Sequence, residues 1–140
     1  MYSTKLMNRR YEIECISLTR VLKIQRFIVD TGAMYTCCHY SMIDEQLQES
    51  DLSEMKIKFI GGLINGSAVK FYEYPLKQFT IGNINRGTCN IWITFDKRVV
   101  DMVLGLDLLK DMVFLNRPSD GTLCFFESEK QCREYMQTHY

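Results

Sequence analysis

The residues best equipped for chemistry lie in FIVDTGAMYTCC, residues 27–38. An apolar run, Phe27-Ile28-Val29, delivers Asp30 straight into Thr31, Gly32 and Ala33. A carboxylate at the end of a buried strand is costly unless something balances it. Two such groups sharing a proton can do work, one activating a water while the other protonates a carbonyl oxygen. The plainer reading is a turn cap, with Gly32 supplying unusual dihedrals. The tripeptide alone favours the turn cap, so its context must decide.

Other reactive side chains are less suggestive. Cys15, Cys37, Cys38, Cys89, Cys124 and Cys132 form no C-x-x-C pair, and His39 and His139 are the only histidines. No spacing supports a structural zinc site, and neither a metal nor another cofactor is expected. Cys15 and Cys89 fall in apolar strand-like runs and read as small core residues. Cys38 and His39 are adjacent, so on a strand their side chains point to opposite faces and cannot form a thiol–imidazole pair. The cysteines read as reduced thiols in a reducing compartment.

Composition narrows the class. A chain of 140 residues is expected to be one domain able to bury roughly two-thirds of its surface. Seventeen basic and seventeen acidic residues give no net charge. The long-range field that nucleic acids or anionic membranes attract is therefore absent, and neither is an expected partner. No apolar run reaches the ~20 residues of a membrane span. The first residues, MYSTKLMNRRYEIEC, lack the apolar stretch of an export signal, so a cytoplasmic location is expected.

The elements that must position Asp30 are mostly strands. Residues 11–18, 21–29, 57–60, 68–74, 76–81, 89–95 and 123–126 carry the alternation and β-branched or aromatic content of strands. Turn signals separate them: Thr19-Arg20 weakly, then Gly61-Gly62, Asn65-Gly66, Gly82-Asn83 and Arg117-Pro118-Ser119-Asp120-Gly121. Asn65-Gly66 between apolar flanks is the best hairpin signal. Helices are expected over 41–47, from a Ser41/Asp44 cap, over 103–112, and in a C-terminal segment after Ser128. In that last helix Cys132, Tyr135 and Met136 share a face.

Three marks stand in order: Asp30-Thr31-Gly32-Ala33, a glycine-bounded hairpin from Ile60-Gly61-Gly62 through Gly66, and Val103-Leu104-Gly105. In that order and spacing they resemble the retropepsin family of aspartic proteases, typified by retroviral proteases. The resemblance covers about residues 10–126 of a single domain, leaving 127–140 as a C-terminal helical extension. It implies a mostly β, closed acid-protease barrel with a flap hairpin and one or two short helices. Two departures stand out. The flap tip GGLING is one residue longer than the viral pattern, and Met34 and Tyr35 occupy positions that are often acidic in viral relatives.

The resemblance assigns roles residue by residue. Asp30, Thr31 and Gly32 would be the catalytic set. Ala33, Met34, Gly61, Gly62, Leu63, Ile64 and Val103 would face the substrate, with Phe59 or Phe71 as further cleft candidates; for Phe59, Phe71 and Val103 a plain core role is at least as strong. Trp92 reads as core. Thr31 would bond across to a partner chain, and Gly105 would pack behind the Asp30 loop. Only one D-T-G is present, so a shared carboxylate pair requires two chains and hence a homodimer. Ala33 lacks the hydroxyl that pepsin-like relatives carry there, which implies an optimum from mildly acidic to near neutral. The expected function is aspartic endopeptidase activity on an extended, apolar peptide or protein segment. The alternative is a catalytically silent dimeric peptide-binding or dimerisation module of the same fold, separated from the first by cleavage. A β domain in which Asp30 only caps a turn is separated from both by oligomeric state.

Overall fold

A computed structural model describes residues 1–6, 10–17, 23–64, 66–117 and 119–139; the side chains of 23–25 and 62–64 are not among the described atoms. One expected turn site, Thr19-Arg20, lies outside the described residues, as do Asn65 and Pro118 within two others. The chain is mostly β with two α-helices.

The strands are β1 (Tyr2–Lys5), β2 (Tyr11–Ser17), β3 (Lys23–Val29), β4 (Cys37–His39), β5 (Ile57–Ile64), β6 (Ser67–Leu76), β7 (Thr80–Ile81), β8 (Ile84–Asn85), β9 (Cys89–Thr94), β10 (Val103–Leu104), β11 (Val113–Arg117) and β12 (Thr122–Phe126). The helices are α1 (Leu106–Leu109) and α2 (Glu129–His139). The larger sheet runs β5-β6-β9-β4-β10-β3-β2-β7-β8, and the smaller β1-β12-β11. Among the described residues neither order closes on itself, so the closed barrel is not among the observed pairings.

The centre of the large sheet positions the site. β10 lies between β3, which it pairs in parallel, and β4, which it pairs antiparallel. Ile28 and Asp30 donate their backbone N–H groups to the carbonyls of Met102 and Leu104, at 2.7 and 3.0 Å. Strand β3 thus ends against a strand roughly seventy residues later, and Asp30 leaves the ladder at a fixed point. Beneath lies a core containing Ile13, Phe27, Tyr72, Leu76, Ile91, Ile93 and Leu104. A second cluster of Cys37, Val69, Phe71, Trp92, Val99 and Val103 packs against Ala33, Tyr35 and Ile60.

Several expected elements differ. Residues 41–47 form a single 3-10 turn at Tyr40–Met42 followed by turns, not an α-helix. The Asp44 carboxylate accepts from the Gln46 N–H at 3.0 Å, a local bond that competes with helical pairing. The stretch 103–112 divides. Val103 and Leu104 are taken by the sheet, Gly105 caps, and only four residues coil as α1. Ladder partners on both sides outweigh the local helical pattern there. Gly61-Gly62 is no turn but the interior of β5, at a register irregularity between Ile60 and Ile64. The hairpin reverses where expected, with Ile64 opposite Ser67 and Gly66 at φ +76°, a dihedral that glycine tolerates without strain. Residues 76–81 are broken by a turn at Lys77-Gln78. Strands β1, β4, β8, β10 and β11 fall outside the strands expected from the sequence.

Helix α2 starts as anticipated. The Ser128 hydroxyl accepts from the Gln131 N–H at 3.2 Å, and the Gln131 side chain accepts from the Glu127 N–H at 3.0 Å. Cys132 and Tyr135 pack on Cys124, Phe126, Val113 and Leu115. Met136, expected on that face, is 41% exposed.

Candidate active site

Asp30 sits just past the end of β3, at the edge of a cleft of about 420 Å³ lined by Asp30, Gly32, Ala33, Met34, Tyr35, Cys37, Phe59, Ile60 and Gly61. The Asp30 carboxylate accepts the Gly32 N–H at 2.9 Å, and the Ala33 N–H reaches the Asp30 carbonyl at 3.2 Å. A β-carbon at Gly32 would stand 3.2 Å from the same carboxylate oxygen. Such an atom would require the Asp30 carboxylate to shift by a few tenths of an ångström. Asp30, Thr31 and Gly32 are all exposed in the single chain. The desolvation cost anticipated for Asp30 therefore arises only when another surface covers it.

Behind the loop is a network that sequence reasoning missed. Thr36, fully buried, donates its hydroxyl to the Asp107 carboxylate at 2.7 Å and accepts the Gly105 N–H at 3.0 Å. The same carboxylate accepts the backbone N–H of Thr36 at 3.0 and 3.1 Å and that of Leu108 at 2.9 Å. The Leu106 and Asp107 N–H groups bond the carbonyls of Ala33 and Met34 at 2.8 and 3.1 Å. Segment 33–36 is thereby pinned to α1. A β-carbon at Gly105 would lie 2.5 Å from the backbone carbon and oxygen of Tyr35. Backbone cannot yield that distance, so Gly105 is where the two segments pass closest. Its packing behind the Asp30 loop matches the sequence expectation. An Asp two residues after the glycine and a Thr six after Asp30 were the available signal; alone, neither spacing is distinctive.

The cleft gathers Asp30, Gly32, Ala33, Met34 and Gly61 among the expected residues. Phe59, 67% exposed, lines it, whereas Phe71 is fully buried. Val103 is buried at 7% in the cluster beneath and is not among the lining residues. Thr31 lies on the same loop, outside the lining. Gly62 and Ile64 continue the β5 arm, with Leu63 between them, but nothing is described of these side chains. Trp92 is buried and meets Tyr35 edge-on at 6.1 Å.

Tyr35 and Ile60, named in the sequence only as a departure and as part of the hairpin mark, also line the cleft, and so does Cys37. Burial pushes the Cys37 thiol up to about 12, and the negative charges of Asp107 and Asp30 add to the effect. At neutral pH it is a protonated wall of the cleft, not a nucleophile. No group of metal-ligating side chains stands together among the described residues. No helix described is long and apolar enough to cross a membrane.

A glycine-supported aspartate thus stands at a strand end, beside an aliphatic-aliphatic-glycine strand and facing one arm of a hairpin. A family profile described as aspartyl protease matches residues 22–108, and the chain belongs to that family. Among solved structures, a retropepsin-like aspartic protease from Rickettsia conorii matches with a TM-score of 0.61 and 16% identity, over 89% of this chain and 88% of that one. At that identity the likeness speaks for the fold. No curated protein matches the chain.

Proposed function

We propose that this chain is an aspartic endopeptidase active as a homodimer, in which Asp30 of two copies forms one catalytic pair. The observation that carries the reading is an aspartate loop built to high order yet left open. Asp30, Thr31 and Gly32 are exposed at the edge of the cleft, and the sequence holds one such loop. A second copy supplies the missing half by two-fold symmetry. Two carboxylates held ~3 Å apart cannot both ionise, so the pair carries one proton. One carboxylate takes a proton from the attacking water, while the protonated one donates to the scissile carbonyl oxygen.

The remaining residues take supporting parts. Gly32 donates its N–H to the Asp30 carboxylate, and Thr31 bonds across the two-fold axis. Ala33, Met34, Phe59 and Ile60 make the cleft wall apolar, which suits an extended peptide with hydrophobic residues around the cut. The β5–β6 hairpin, through Gly61, Gly62, Leu63 and Ile64 to Gly66, closes over the peptide as a flap and excludes water. Residues 127–140 are an added helical segment on a family core of about 10–126. Six unpaired, buried thiols suit a reducing, cytoplasmic setting.

The test is cleavage of a mixed peptide library from pH 4 to 7.5 by wild type and by Asp30→Asn, with sedimentation under the same conditions. The expected result is a dimer that cuts between apolar residues, best from mildly acidic to near neutral pH, with all cuts lost in the variant. A monomer that still cuts, or cuts that survive in Asp30→Asn, overturns the reading.

A further inference from the structure

Cleft wall residue Tyr35 carries a cation that the catalytic scheme does not use. Lys58, half-buried on β5, places its ammonium 2.8 Å from the Tyr35 hydroxyl. The same nitrogen lies 4.2 Å from the centre of the Tyr35 ring and 5.3 Å from that of Trp92. Lys58 is two residues before Ile60, and side chains at that spacing on a strand share a face. Ile60 and Tyr35 both line the cleft; Lys58 is not itself a lining residue and reaches the wall from behind, through its bond to the Tyr35 hydroxyl. Among the described residues no carboxylate lies within ion-pair reach of it. Asp30 is the one carboxylate in the cleft lining.

An ammonium has three donors, and Tyr35 occupies one. The Tyr35 hydroxyl, accepting from Lys58, keeps its own proton free to donate. Two kinds of donor therefore converge from one wall, a charged N–H and a neutral O–H, held in place by two aromatic faces. That arrangement complements a carboxylate, which accepts at both oxygens and gains from a charged donor once water is displaced. A backbone amide or a hydroxyl would leave the positive charge unbalanced.

We infer that Lys58 and Tyr35 form a carboxylate-recognising subsite, so that the preferred substrate carries an aspartate or glutamate at an outer position flanking an apolar scissile region. The inference rests on the proposed peptidase reading of the same cleft. It adds that specificity has two parts: an apolar centre and an acidic anchor where β5 meets the segment after Asp30.

Two readouts separate this inference from its parent. Binding is measured with the Asp30→Asn protein, by fluorescence anisotropy, using peptides with an apolar core and Glu, Gln or Lys at each outer position in turn. At one position Glu should bind about tenfold more tightly than Gln, the scale of a single charge-assisted bond. That ratio should collapse to near one in Lys58→Met, fall partway in Tyr35→Phe, and reverse toward Lys-bearing peptides in Lys58→Glu. The reversal requires a folded protein, which guards against mere misfolding. Equal binding of Glu and Gln peptides at every position, or a Glu preference that survives Lys58→Met, overturns the inference. Cleavage of the same peptides by wild type tests the parent reading alone: acid-dependent binding without cleavage would leave the subsite standing and sink the peptidase.

Discussion

At the scale of single residues, Asp30 and Thr36 do different work. Asp30 is exposed and touches its own loop, so its replacement by Asn should leave stability nearly unchanged. Activity should fall by at least about a thousandfold, since the acid–base step is lost; matched melting curves and progress curves on the two proteins check both halves. Thr36 is the reverse. Thr36→Val keeps the shape but removes the hydroxyl that bonds Asp107 and receives Gly105. The buried Gly105 N–H loses its acceptor and the half-buried Asp107 carboxylate one of its donors, which should cost about 1–3 kcal/mol, read as a lowered midpoint in urea. Gly105→Ala should be worse still, because the new atom meets Tyr35 backbone at 2.5 Å. The Asp30 loop was legible in the sequence because its residues are contiguous. The Thr36–Asp107 bond was not, because it joins positions 71 residues apart that only the sheet order brings together.

At the scale of elements, strands with local pattern were legible and those made by tertiary pairing were not. β2, β3, β5, β6, β9 and β12 carry their own alternation or β-branched content. β4 and β10 are three and two residues long, too short to signal anything, and exist because each has neighbours on both sides. Helix α2 was legible from its Ser128 cap and one apolar face. Removing residues 128–140 should uncover Cys124, Phe126, Val113 and Leu115; a lower melting temperature and a gain in apolar-dye binding are the expected signs. The buried thiols on β2, β4 and β9 set an alkaline limit. Burial raises Cys15, Cys37, Cys38 and Cys89 above the ordinary thiol value of 9.0, Cys37 to about 12. Between those values the unfolded chain has released thiol protons that the folded chain still holds. Unfolding therefore becomes easier as pH rises above about 9 and is unaffected by these groups below it. Urea midpoints from pH 8 to 11 should fall, and fall less in Cys38→Val. At pH 8 a thiol reagent should find none of the six groups in native protein and all six in urea.

For the whole molecule, the fold likeness covers 89% of the chain, and the proposed pairing of two Asp30 residues needs a second copy of it. That proposal starts from the sequence, which holds one D-T-G and no second. The geometry of any interface was not legible there, because no pattern in one chain encodes which face a copy covers. The most direct measurement mixes wild type and Asp30→Asn in varying ratio, at concentrations that favour assembly, after unfolding and joint refolding. If two copies share one site, activity follows the square of the wild-type fraction, with about a quarter of full activity at equal mixing. Activity that falls in simple proportion, to about half at equal mixing, would mean that each chain carries a complete site, and the shared aspartate pair would be wrong.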